Sequence, residues 1–117
     1  MPNQGSDWEL APDAPVPGLA RFRELLVPRI LAFESLRQAI EKGSGGAAAL
    51  RDVAEISHKI SGVAAPLGYP GIGSNAGTLE TTIQHALAAG EPVADIWRKA
   101  SPMLETLLEG MESILDE

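Results

Sequence analysis

Two histidines, no cysteine and sixteen carboxylates against nine lysines and arginines bound the chemistry open to this 117-residue chain. Without cysteine there is no disulfide framework, thiol nucleophile or thiolate metal site. His58 is the more informative histidine. It interrupts an apolar series, Ala49, Val53, Ile56, Ile60, Val63 and Leu67, whose steps of three and four residues predict a helix. At about 100° per residue, His58 stands about 200° from both Ile56 and Ile60, so it faces away from the core stripe. Gly62, one turn on, shares that face. A glycine inside a helix costs stability and calls for a reason. Here it clears space for something to approach the imidazole; the plainer alternative is a solvated histidine beside a helix-packing glycine.

The other candidates carry less. His85 lies between Ile83 and Leu87, points away from both and reads as solvated surface. Arg51, seven residues before His58, shares nearly the same face about 10 Å along the axis and reads as a solvated or docking residue. Ala54 and Glu55 on that flank, and Ala65 seven residues after His58, suit close contact with a protein partner. Glu55-Ile56-Ser57-His58 is the one Glu-x-x-His in the sequence, where a di-iron bundle uses two, and no metal site is expected. Gly71-Ile72-Gly73 and the Gly43 to Gly46 cluster lack the strand and Gly-Lys-Ser/Thr context of a phosphate loop.

Four stripes supply the elements that must position these residues. Phe22, Leu26, Ile30, Phe33, Leu36 and Ile40 form the first, with Pro28 either kinking one helix or starting the longer of two. The His58 stripe is the second, stopping at Pro66-Leu67-Gly68-Tyr69-Pro70-Gly71. Ile72, Ala76, Leu79, Ile83 and Leu87 make the third, weakened at its start by Gly71, Gly73 and Gly77. The fourth runs from Val93 through Ile96 or Trp97, Ala100, Leu104, Leu107 and Met111 to Ile114. At Ser101-Pro102 a kink or a newly capped helix is expected. No segment alternates in the manner of a strand. The chain is therefore read as all-α, an antiparallel up-down four-helix bundle over residues 18–117. Residues 1–17, with four prolines, read as an extended or disordered lead-in that Trp8 and Leu10 could pin to the domain.

The words around His58 add a family resemblance. The segment Ala54-Glu55-Ile56-Ser57-His58-Lys59-Ile60-Ser61-Gly62-Val63-Ala64-Ala65-Pro66-Leu67-Gly68, continued through Ile72 to Thr78-Leu79-Glu80, resembles the histidine-containing phosphotransfer domain of two-component phosphorelays. That family carries an exposed histidine followed by a lysine and a glycine, a Leu-Gly or Val-Gly ending, and a next helix with Leu before Glu or Gln, all on a four-helix bundle. The resemblance implies that His58 accepts the phosphoryl group through Nε2. It implies that Glu80 orients the imidazole through Nδ1–H, and that Gly62 admits the partner. Lys59 and Ser61 would contact phosphoryl oxygens. Ser61 stands where the family has lysine, and a hydroxyl brings no positive charge.

By the same resemblance the partners are a response-regulator receiver domain and a hybrid histidine kinase. Mg²⁺ belongs to the receiver, and no cofactor is intrinsic to this chain. It would act as a monomeric, stoichiometric phosphotransfer intermediate, with no length left for an ATP-binding kinase region. Two alternatives stay open: a binding-only adaptor that docks a receiver or kinase without accepting phosphate, and a helical interaction module outside signalling. A net charge of −7 argues against nucleic acid, which needs a clustered basic face. No apolar run reaches the ~18–20 residues of a membrane span, and the N-terminus lacks the pattern of a secretory signal. A cytoplasmic protein is expected.

Overall fold

The computed structural model describes residues 16–117, and within them every regular element is helical. Residues 1–15, including Trp8 and Leu10, lie outside the described residues. The helices are α1 (Leu19–Glu24), α2 (Leu26–Glu41), α3 (Gly46–Ser61), α4 (Pro70–Ala88) and α5 (Val93–Leu115). The long four close a ring: α2 contacts α3, α3 contacts α4, α4 contacts α5, and α5 returns to α2. This is a four-helix bundle with α1 as an added short helix.

The apolar stripes form its core. Phe33, Val53, Leu79, Ile83, Ile96, Leu104, Leu107 and Met111 are all fully buried. Leu50 and Leu108, each beside a stripe position, widen the buried face. Burial of such side chains is worth roughly 1.5–3 kcal/mol each, which is why periodicity outweighs local breakers.

The two prolines had different outcomes. At Pro28 the chain breaks at Leu25, and α2 restarts with Pro28 in its first turn, where a missing N–H costs nothing. At Pro102 there is no new helix and Ser101 caps nothing; α5 runs unbroken through the proline for 23 residues. Ile96, Ala100, Leu104, Leu107 and Ile114 stay in phase across it and are all buried, offsetting a proline penalty of about 3 kcal/mol.

Polar clamps tie the ends and flanks. Arg37 of α2 donates to Glu34 at 2.6 Å and to Glu105 of α5 at 2.6 Å. Hydrogen bonding to Glu105, then to Glu34, raises the Arg37 pKa above its ordinary value. At the other end Arg23 of α1 donates to the Tyr69 hydroxyl and to Glu117, each at 2.8 Å, and Tyr69 in turn donates to Glu117 at 2.8 Å. Burial, then the bond to Glu117, raises the Tyr69 pKa. Phe22 stacks on the Tyr69 ring at 5.6 Å, seating α1 against the turn between α3 and α4.

Replacing a fully buried ring tests the core assignment. Phe33→Ala should lower unfolding free energy by about 3–5 kcal/mol. The exposed Val27→Ala should stay within about 0.5 kcal/mol of wild type. Urea titration followed by circular dichroism reads both.

Candidate functional site: an exposed imidazole at the α3–α4 seam

His58 sits in the last turn of α3 with its side chain 71% exposed, as its phase relative to Ile56 and Ile60 predicts. Its Nδ1 lies 2.8 Å from Oε2 of Glu80 on α4, whose side chain is only 15% exposed. Gln84, one turn beyond Glu80, donates to the same oxygen at 3.3 Å. One edge of the imidazole is thus held against a mostly buried, hydrogen-bonded carboxylate, leaving Nε2 as the ring nitrogen free of that contact. Gln84 was not singled out from the sequence; its i+4 spacing from Glu80 was the available signal.

The α3–α4 seam makes this reach possible. A Cβ added at Gly73 would stand 3.4 Å from the Ala65 nitrogen and 3.6 Å from the Ala64 Cβ. A Cβ at Gly77 would stand 3.9 Å from the Ser61 Cβ. Two glycines one turn apart therefore let α4 lie close against the end of α3, and Glu80 follows on the next turn. The sequence marked these residues only as helix-weakening; their use is an approach between elements.

Several expected site residues sit elsewhere. Helix α3 ends at Ser61: the Val63 N–H already bonds the Ile60 carbonyl, three residues back, and the turns that follow carry Pro66 and Gly68, the latter at a positive φ of 102°. Gly62 is therefore the C-cap residue, not a mid-helix glycine. Its N–H still bonds the His58 carbonyl at 3.1 Å, and an added Cβ would meet only backbone oxygens. Val63, expected in the core, is 42% exposed, and Ala64 takes the buried place. Ala65 lies in the turns after α3, so it does not share the helical face of His58, although it is exposed. Ala54, expected as an exposed docking residue, is 4% exposed because α4 covers that flank.

Ser61 donates its hydroxyl to the His58 carbonyl at 2.9 Å, so that hydrogen is directed at backbone and not toward the imidazole. Arg51, Ala54, Glu55, His58, Glu80, Gln84 and Leu87 line one cleft of about 470 Å³. Lys59 belongs to a separate groove of about 380 Å³, whose other walls include Arg21, Phe22, Leu25, Arg29, Gly62 and Val63. Burial, then the neighbouring charge of Arg21, lowers the Arg29 pKa. No local sequence pattern marks this groove, because α1 brings Arg21 to Lys59 from far away in the chain. His85 is exposed and lines neither space.

No protein-family model, curated protein or solved structure matches the chain. No helix among the described residues is long and apolar enough to cross a membrane.

The seam can be tested by bulk. Gly73→Leu should lower stability by about 1–3 kcal/mol through overpacking. Gly71→Ala, whose Cβ meets nothing within 4 Å, should be neutral or stabilising by up to about 1 kcal/mol. Thermal unfolding of the two variants beside wild type distinguishes a close-packed seam from a loose one.

Proposed function

We propose that this chain relays phosphoryl groups between receiver aspartates through His58. The observation carrying the proposal is the 2.8 Å contact between Nδ1 of an exposed histidine and a mostly buried carboxylate on the next helix. The family resemblance around His58 and Leu79-Glu80 and the four-helix bundle support the same reading.

The step balances simply. The Nε2 lone pair attacks the phosphorus of a receiver's aspartyl phosphate; the N–P bond forms, the P–O bond to the aspartyl carbonyl carbon's oxygen breaks, and the carboxylate leaves. Nδ1 keeps its proton throughout, so the ring becomes positively charged as it is phosphorylated. Glu80 favours the tautomer with Nδ1 protonated and offsets the developing ring charge, the service an oriented carboxylate gives a histidine nucleophile. Gln84 restrains Glu80 in turn. The Mg²⁺ and acidic residues that activate the acyl phosphate belong to the receiver. The chain presents a side chain on a rigid frame and is modified once per cycle.

The test is acid-labile phosphate incorporation from a phosphorylated receiver domain, on wild type beside His58→Gln and Glu80→Ala. Wild type should take up label that survives base and is lost in acid, and His58→Gln should take up none. Glu80→Ala should slow transfer about 10- to 100-fold, since a hydrogen bond to a charged partner is worth about 1.5–3 kcal/mol. A chain that binds receivers in titration yet accepts no phosphate would instead be a docking adaptor. The Ser61 hydroxyl, committed to the His58 carbonyl where the family has a lysine, is the feature that favours that second reading.

A further inference from the structure

A phosphorylated imidazole needs a positive charge nearby. The phosphoryl group brings about two negative charges to a chain already at −7, beside Glu55 and Glu80. Ser61 supplies none. Two cations lie within reach along α3, Lys59 and Arg51, and they fall on different sides.

Lys59 is one residue past His58, hence about 100° round the helix. It lines the groove shared with Arg21 and Arg29, on the opposite side of His58 from Glu80. Arg51 is seven residues before His58, within about 20° of the same direction. It lines the same cleft as His58, Glu80 and Gln84. Both side chains share the N-terminal lean of a helix, so the axial separation of about 10 Å stays between their bases and is spanned by the length of the arginine side chain turned along the cleft. Within the described residues Arg51 makes no ion pair, although Glu55 stands at i+4. Arg21, Arg23, Arg37 and Arg98, by contrast, each lie within 4.0 Å of a carboxylate.

Building on the phosphotransfer reading, we infer that Arg51 is the cation that meets the phosphoryl group on His58, replacing from two turns upstream the charge that Ser61 lacks. A guanidinium suits this reach. Its planar fork offers two N–H donors to two phosphoryl oxygens, and it needs no adjustment of protonation. Because the contact exists only when His58 is phosphorylated, Arg51 favours the phosphorylated chain and shifts the transfer equilibrium toward it.

The experiment separates this inference from the phosphotransfer reading by loading the phosphoryl group chemically. Chains carrying His85→Gln are phosphorylated on His58 with phosphoramidate, whose P–N bond breaks and whose nitrogen leaves as ammonia. The phosphoryl titration is then followed by ³¹P NMR. A nearby cation favours the dianion, so Arg51→Ala should move the titration midpoint up by about half a pH unit, the scale of a partly exposed ion pair. Arg51→Lys should recover part of that shift. Arg98→Ala, which removes an equal charge on α5, should leave the midpoint unchanged. An Arg51→Ala midpoint equal to wild type overturns the inference, as does a larger shift in Lys59→Ala. Failure of any receiver to transfer phosphate, with the Arg51→Ala shift intact, would overturn the relay and leave the Arg51 contact standing.

Discussion

The contact between His58 and Glu80 depends on an interface with very little side chain in it. Where α4 meets the end of α3, the facing residues are Gly73 and Gly77 against Ser61, Ala64 and Ala65. Larger residues would hold the helices apart, and a glutamate side chain could not then span the gap to an imidazole on the neighbouring helix. The glycines cost α4 helix propensity of roughly 1 kcal/mol each. The core residues around them, Ile72, Ala76, Leu79 and Ile83, hold the helix in place regardless. The imidazole gains its orientation from backbone proximity, and the bundle core supplies the stability that permits it.

Charge is arranged differently on the two sides of His58. On the α4 side a single arginine shares a cleft with two glutamates. On the α1 side Arg21, Arg29 and Lys59 surround apolar walls with no carboxylate among the lining residues. A chain of net charge −7 thus keeps a local excess of cations beside His58. Partial burial, then the charge of Arg21, lowers the pKa of Arg29 within it. An acidic surface approaching from that side would meet attraction where the rest of the molecule repels it.

Much of this was legible in the residues and some was not, for physical reasons. The exposure of His58 followed from its phase against Ile56 and Ile60, and the bundle followed from four stripes with breaks between them. These features depend on one helix at a time. The errors cluster where two elements meet or where a helix stops. The helical phase that assigns Val63 to the core and Ala65 to the His58 face runs on past Ser61, where the ladder ends. The sequence of α3 alone assigns Ala54 to the exposed face, since nothing within that helix reports that α4 lies over it. Lys59 and Arg51 are both near His58 in sequence; helical phase puts Arg51 closer to its direction, and the packing of α4 turns that face into a cleft. At Ser101-Pro102 a local stop signal was outweighed by buried residues on both sides of it.

The short helix α1 holds its place through the Phe22–Tyr69 stack and the Arg23–Tyr69–Glu117 cluster. Its residues Arg21 and Phe22 wall the groove, whereas the His58 cleft is built from α3 and α4 alone. Loss of α1 would therefore take away one wall of the groove and no wall of the cleft. What can approach His58 from the α1 side is thus set by a segment that contributes nothing to the contact between the imidazole and Glu80.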